Sequence, residues 1–260
     1  MKEITLVISR TFLTAAVVCA ALFSSIAAHA QAQRLADPSY FYPGAIWAKL
    51  EAAAPVAGIA VMNPNSGPGT AINPAYTAQV AEAKSRGLKV IGYVDTAYGK
   101  RSLDLVKADV EDYFTWYHVD GILLDEASNL APDLAYYKTC YHFAHDIDKS
   151  ATVVLNPGAP TLEGYMDAAD IIITFESPYN DYQTNFVQSS WVVNYPASRF
   201  WHIILGATTE DQMKNAIKES KSRHAGWVYV TTFAPPANPY DKLPESPYWP
   251  DELHAIASAN

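Results

Sequence analysis

Short, nearly continuous apolar runs alternate along the chain with longer stretches in which apolar residues return every three or four positions. Eight short runs are candidate strands: residues 39–42, 58–62, 89–95, 121–125, 152–156, 170–175, 201–205 and 226–231. Several are almost pure Val, Ile and Leu, the pattern of strands buried on both faces. The longer stretches have a helical period. Leu134, Tyr137, Tyr141, Ala144 and Ile147 make one stripe, and Val106, Val110, Phe114 and Tyr117 another. Thr208 with Asp211 approximates a capping box ahead of Met213 and Ile217. Gly87 after Arg86 marks a helix end before the third strand. Eight strands alternating with eight helical segments predict βα units around a parallel sheet. With the chain length, they predict a single (β/α)8 TIM-type barrel, typically about 250 residues. The alternative is a doubly wound open sheet. That fold more often carries a Gly-rich phosphate loop after its first strand, and Tyr42-Pro43-Gly44-Ala45 is not one. No Gly/Ser linker, charge block or short repeat divides the chain.

The first thirty residues follow a different pattern. Lys2 and Arg10 precede an apolar run from position 12 to 23, and Ala28-His29-Ala30 closes it as a small-x-small site. This reads as a secretory signal peptide cut after Ala30, leaving residues 31–260 as the barrel domain. An uncleaved anchor is the other reading, but the run is short of the roughly 20 apolar residues a bilayer span needs. The expectation is a secreted or periplasmic monomer with no membrane association after cleavage. Cys19 leaves with the signal, so Cys140 is the single remaining cysteine and no intramolecular disulfide can form. Its apolar and aromatic surroundings predict a buried structural thiol. The net charge of −9 becomes one unit more negative once the signal is removed. With no Lys/Arg runs, that charge argues against a nucleic-acid partner and for a neutral or cationic polymer.

Barrel active sites sit at the C-terminal ends of the strands, so the residues there are the candidates. The second strand ends in Asn63-Pro64-Asn65-Ser66-Gly67-Pro68-Gly69, the third at Asp95, the fourth in Asp125-Glu126, the fifth at Asn156 and the sixth at Glu176. Strand eight adds Tyr229. Asp125, Glu126 and Glu176 are the candidate catalytic acids, because glycoside hydrolysis uses one carboxyl as acid and another as nucleophile or base. Clustered carboxylates also push one another's pKa apart. A lone acid at a strand end equally caps the following loop, a reading that stays open for Asp95. Asn63, Asn65, Ser66, Asp95 and Asn156 are candidate hydrogen-bonding partners for sugar hydroxyls, though the Asn63 loop also reads as a plain turn. Among 17 Tyr, 6 Trp and 9 Phe, Tyr98, Tyr179 and Tyr229 are candidates for stacking on sugar faces, against a background in which most aromatics are core. His142 and His145 lie one helical turn apart with no HExxH motif, so neither a metal site nor a cofactor is expected. There is no GxSxG elbow. A Pro-rich stretch, 235–250, either walls the cleft or packs as a C-terminal tail.

Tyr42-Pro43-Gly44, the seven-residue Asn63–Gly69 loop, Gly92-Tyr93-Val94-Asp95-Thr96, Asp120-Gly121-Ile122-Leu123-Leu124-Asp125-Glu126 and Phe175-Glu176 together resemble the spherulin-4-like proteins. This is spherulation-specific family 4, assigned to glycoside hydrolase family 135. The resemblance spans nearly the whole chain after residue 30 and keeps motif order. It implies a (β/α)8 barrel, essential acids at Asp125, Glu126 and Glu176, and endo-cleavage of α-1,4-linked N-acetylgalactosamine stretches in a polysaccharide. By analogy with barrel α-glycosidases, Asp125 is the expected nucleophile of a retaining reaction and Glu176 the expected acid/base, with exchanged roles the alternative. Two other functions fit the same reading: a glycan-binding or coat protein without catalysis, and a polygalactosaminidase acting on deacetylated, cationic polymer.

Overall fold

The computed structural model of the protein describes residues 32–258; the signal peptide expected over residues 1–30 lies outside them. Eight parallel strands close on themselves in sequence order. They are β1 (Arg34–Asp37), β2 (Ala57–Met62), β3 (Lys89–Asp95), β4 (Gly121–Asp125), β5 (Thr152–Leu155), β6 (Ile171–Pro178), β7 (Phe200–Leu205) and β8 (Trp227–Val230). β8 closes the ring on β1, with Trp227 opposite Arg34 and Val228 opposite Leu35. The strand bodies are buried on both faces, which explains their unbroken apolar sequence. The (β/α)8 barrel read from the periodicity is the fold.

The helices are α1 (Ala45–Glu51), α2 (Pro74–Ser85), α3 (Leu103–Asp112), α4 (Leu134–Ile147), α5 (Tyr179–Thr184), α6 (Glu210–Ser222) and α7 (Tyr248–Ser258). Gly87 follows α2 at φ 92° and donates its N–H to the Lys84 carbonyl, as its position predicts. None of the described helices is long and apolar enough to cross a membrane. Cys140 is buried on α4, where desolvation pushes its thiol up to about 12.

Four sequence expectations are corrected. The first strand is Arg34–Asp37, not 39–42. Tyr40 to Tyr42 have strong β propensity, but Pro38 and Pro43 bracket them and remove ladder donors. Arg34 and Leu35 instead donate to Gly226 and Val56, so pairing with two neighbours outweighs local propensity. The eighth helical segment is missing between β5 and β6, where Pro157, Gly158 and Pro160 leave only a short 3-10 turn over Glu163–Asp167. The capping box is Thr209 with Gln212, one residue later than expected. The α3 stripe also shifts: a π-helical turn over Tyr113–Tyr117 inserts an extra residue, so Tyr113 is buried and Phe114 only partly so.

Gly92 shows how tightly wall and helix layer meet. A Cβ there would lie 2.4 Å from the Tyr113 ring. Only glycine lets this ring seat on β3 beside Tyr93.

Candidate active site

A cleft of about 580 Å³ opens at the C-terminal ends of the strands. Asp125, Glu126, Asn156, Glu176 and Tyr98 line it, with Pro157, Gly158, Ser177, Pro178, Leu205, Ala234 and Pro235. Three strands in a row supply its chemistry. β4 ends in Asp125, β6 carries Glu176, and Asn156 follows β5 between them.

Asn156 joins the two acids. Its Nδ2 donates to Asp125 Oδ1 and to Glu176 Oε2, each at 2.6 Å. Its Oδ1 accepts the Gly158 N–H at 3.0 Å. That contact fixes the amide orientation, because a carbonyl oxygen turned toward two carboxylates would repel both. Gly158 stands at φ 60° and its carbonyl accepts the Glu176 N–H, so the β5 loop holds both Asn156 and the backbone of Glu176. One nitrogen bonded to both acids keeps the two carboxylate oxygens no more than about 5 Å apart.

Each acid has a second donor from a tyrosine. Tyr93 of β3 donates its hydroxyl to Asp125. Tyr240, from the stretch after β8, donates to Glu176 Oε1. Tyr40 packs edge-on against both rings, at 5.5 and 5.2 Å, and completes an aromatic floor. Burial and the adjacent carboxylates push the Tyr93 and Tyr240 hydroxyls far above their ordinary range, so both remain protonated donors. Asp125 is raised to about 6, first by burial and then by the charge of Glu176, against the lowering effect of its three hydrogen bonds.

Glu126 is exposed at the rim, and its pKa is raised by partial burial and by the charges of Asp95 and Asp125. Its backbone is left-handed at φ 46°, a conformation that costs a non-glycine residue roughly 1–2 kcal/mol. Neighbours hold it there. Thr96 Oγ1 lies 2.8 Å from the Asp125 carbonyl and 2.9 Å from the Glu126 carbonyl, and the Tyr98 N–H donates to the latter. Tyr137 backs Thr96 from below and accepts the Ser128 N–H. The turn after β4 is thus pinned from two sides, which keeps Asp125 and Glu126 pointing into the cleft.

The structure gathers Asp125, Glu126, Glu176, Asn156 and Tyr98 in one cleft. Asp95 backs it: its Oδ1 accepts the Ala97 N–H and its charge acts on Glu126. The structure places the remaining candidates outside this cleft. Asn63 spends its side chain on the Gly67 N–H, closing a turn on which Asn65 and Ser66 are exposed, and none of the three lines the cleft. Tyr179 turns outward, its hydroxyl accepting from Asn215 of α6. Tyr229 is buried under the floor and donates to the Pro239 carbonyl. Sequence reasoning left Tyr93 and Tyr240 out of the site. Tyr93 sits two residues before the strand end at Asp95, the spacing that puts a side chain on the same face one layer deeper. Tyr240 lies in the Pro-rich stretch, whose first part walls the cleft through Pro235 and whose last part packs as α7. No group of three or more His, Cys, Asp or Glu among the described residues is placed to hold a metal ion.

Fold and site together define a (β/α)8 barrel with a bridged carboxylate pair at its mouth. The chain matches the model of spherulation-specific family 4 over residues 35–256 and belongs to that family. It is 33% identical over 239 residues to Spherulin-4 of Physarum polycephalum, covering 87% of this chain and 71% of that protein. Among solved structures, Aspergillus clavatus Sph3 in complex with GalNAc aligns at TM-score 0.74 and 23% identity, over 87% of this chain and 98% of that one. A chitinase from Rhizomucor miehei aligns at TM-score 0.55 and 12% identity, over 88% and 99%. At these identities the likenesses bear on the fold.

Proposed function

We propose that the protein is a secreted, endo-acting, retaining glycoside hydrolase whose substrate is a polysaccharide containing α-1,4-linked N-acetylgalactosamine. The observation that carries the reading is the Asn156 bridge. It joins the two carboxylates through a single nitrogen, a proximity that favours the separation of about 5–5.5 Å used by retaining enzymes over the roughly 6.5–9.5 Å of inverting ones. The substrate class draws support from the family and from Sph3, which was crystallised with GalNAc.

In this reading Asp125 is the nucleophile. Its ionised carboxylate attacks the anomeric carbon while the carboxylic acid of Glu176 gives its proton to the departing glycosidic oxygen. The products of this step are a glycosyl ester on Asp125 and a shortened chain. Glu176, now a carboxylate, takes a proton from water as the water oxygen attacks the same carbon. Asp125 departs as carboxylate, and two inversions restore the α configuration. Asn156 and the Tyr93 hydroxyl stabilise the Asp125 carboxylate as it departs. Glu126 at the rim binds the sugar.

One observation favours a second reading with the two roles exchanged. Burial and the charge of Glu176 raise Asp125 to about 6, which makes Asp125 itself a group able to carry the proton an acid donates. Azide rescue separates the two. With Asp125 as nucleophile, Asp125→Gly plus azide yields the inverted β-glycosyl azide, and Glu176→Gly plus azide yields the retained α product. The opposite pairing assigns the roles the other way. A protein that binds the polymer without generating reducing ends removes catalysis altogether. Faster cleavage of deacetylated than of acetylated polymer moves the substrate to cationic galactosamine.

A further inference from the structure

The catalytic cleft does not end at Tyr98. A second cavity of about 450 Å³ adjoins it, and Tyr98 and Pro157 line both. Lys100, Ala127, Ser128, Asn129, Leu130 and Asp133 line the rest of it. Each cavity falls within the range of roughly 300–1,000 Å³ typical of small-molecule sites. We infer that the second cavity is a distal subsite that binds a sugar of the same polysaccharide chain beyond those held at the carboxylates. This inference rests on the hydrolase reading above.

The chemistry of the lining suits a pyranose. Tyr98 and Leu130, both in the lining, are large apolar side chains left 55% and 61% exposed. Sugar rings present C–H faces to such surfaces and hydroxyls at their edges. The Asn129 Nδ2 is spent on the Pro160 carbonyl, which leaves its Oδ1 as an acceptor. Lys100 is exposed and forms no ion pair among the described residues, so its ammonium is a free donor for a hydroxyl or an acetamido oxygen.

The cavity is also preformed. Buried tyrosines clamp the loop after Glu126: Tyr137 accepts the Ser128 N–H, and Tyr165 donates to the Leu130 carbonyl at 2.7 Å. The Ala127 N–H donates to the Asn156 carbonyl. Tyr98 is fixed at φ 55° by its N–H bond to the Glu126 carbonyl. Walls already ordered lose little conformational freedom on binding. The residue that carries the rim acid also anchors the ring shared by the two cavities, so a chain lying across Tyr98 is held in register with the carboxylates. Such a site favours internal attack on a long polymer.

The test uses the full-length Glu176→Gln protein, which holds substrate without cleaving it, and N-acetylgalactosamine oligosaccharides of increasing length in calorimetry. The expected result is a rise in affinity of roughly tenfold once the chain spans both cavities. Tyr98→Asn, which tolerates the left-handed backbone but removes the ring, abolishes this rise, and Lys100→Ala reduces it. Equal length dependence in these variants and in the Glu176→Gln parent overturns the subsite while leaving the hydrolase reading intact, provided the wild type cleaves the polymer. If no oligosaccharide binds and the wild type releases no reducing ends, the hydrolase reading and the subsite fall together.

Discussion

Tyr240 donates its phenolic hydrogen to Oε1 of Glu176, across 64 residues of sequence, and so ties the stretch after β8 to the acid on β6. The ring is held in turn by Tyr40 at 5.2 Å and Tyr229 at 6.2 Å. Tyr240 is a positioning residue, since it acts through the carboxylate. Tyr240→Phe keeps the packing and loses one hydrogen bond to a charged group, worth about 1.5–3 kcal/mol. The expected result is a fall in kcat of roughly 10- to 100-fold, with KM and melting temperature little changed. A fall in KM-dependent binding with kcat intact would place Tyr240 in substrate recognition instead.

Asn156 must be an amide, because its nitrogen serves two anions at once. Asn156→Asp is nearly isosteric but puts a third carboxylate between the pair. Like charges disfavour ionisation, so Asp125 moves up from about 6. Activity is expected to drop by a factor of about 1,000, the scale of losing a preorganised donor. What survives should have its acid limb shifted to higher pH. The measurement is a kcat/KM profile from pH 4 to 9.

The wild-type profile follows from the same group. A nucleophilic Asp125 must be ionised, and burial with the Glu176 charge raises its pKa to about 6 from an ordinary value near about 3.9. Below about pH 6, kcat/KM therefore falls as protons return to Asp125, and it rises as pH increases through that value. Replacing Glu176 with Gln removes the charge, so the Asp125 carboxyl titrates lower. Carbon-13 NMR of labelled aspartate in that variant reads the shift directly.

A second pair of acids lies outside the cleft. Asp37 on β1 and Glu252 on α7 are fully buried, and Asp37 Oδ2 and Glu252 Oε2 each lack a hydrogen-bond partner. Burial raises Asp37 to about 7. Burial also raises Glu252, and the charge of Asp37 adds to this. In the unfolded chain Asp37 titrates near about 3.9. Between those values the folded state binds more protons, so stability falls as pH rises from about 4 to about 7 and stays low above it. Asp37→Asn keeps an acceptor for Ser39 and removes the buried charge. The variant is expected to melt several degrees higher than wild type at pH 8 and close to it at pH 4. Calorimetric scans at the two pH values check this.

The barrel was legible because its signal is collective. Seven of the eight strands fall where the apolar runs place them, and β1 was displaced because Arg34–Asp37 is a strand only by virtue of its neighbours. The acids were legible for the same reason: a strand end in a barrel is a known place. Asp125 ends β4, Asn156 follows β5 and Glu176 lies near the end of β6, so the rule that located the strands also located these three at one mouth. Loop residues obey no such rule. Nothing local distinguishes Asn63, which closes its own turn, from Asn156, which bridges two carboxylates. Tyr240 is invisible for a related reason, since its role depends on where a 17-residue stretch between β8 and α7 returns over the barrel.

The most direct measurement is the release of oligosaccharides, with new reducing ends, from α-1,4-linked N-acetylgalactosamine polymer. It is read by mass spectrometry for the wild type, Asp125→Asn and Glu176→Gln, each shown to be folded by its melting curve. The account predicts short oligosaccharides from the wild type and none from either variant. Undiminished release by either variant, or polymer bound by the wild type without a single new reducing end, contradicts it.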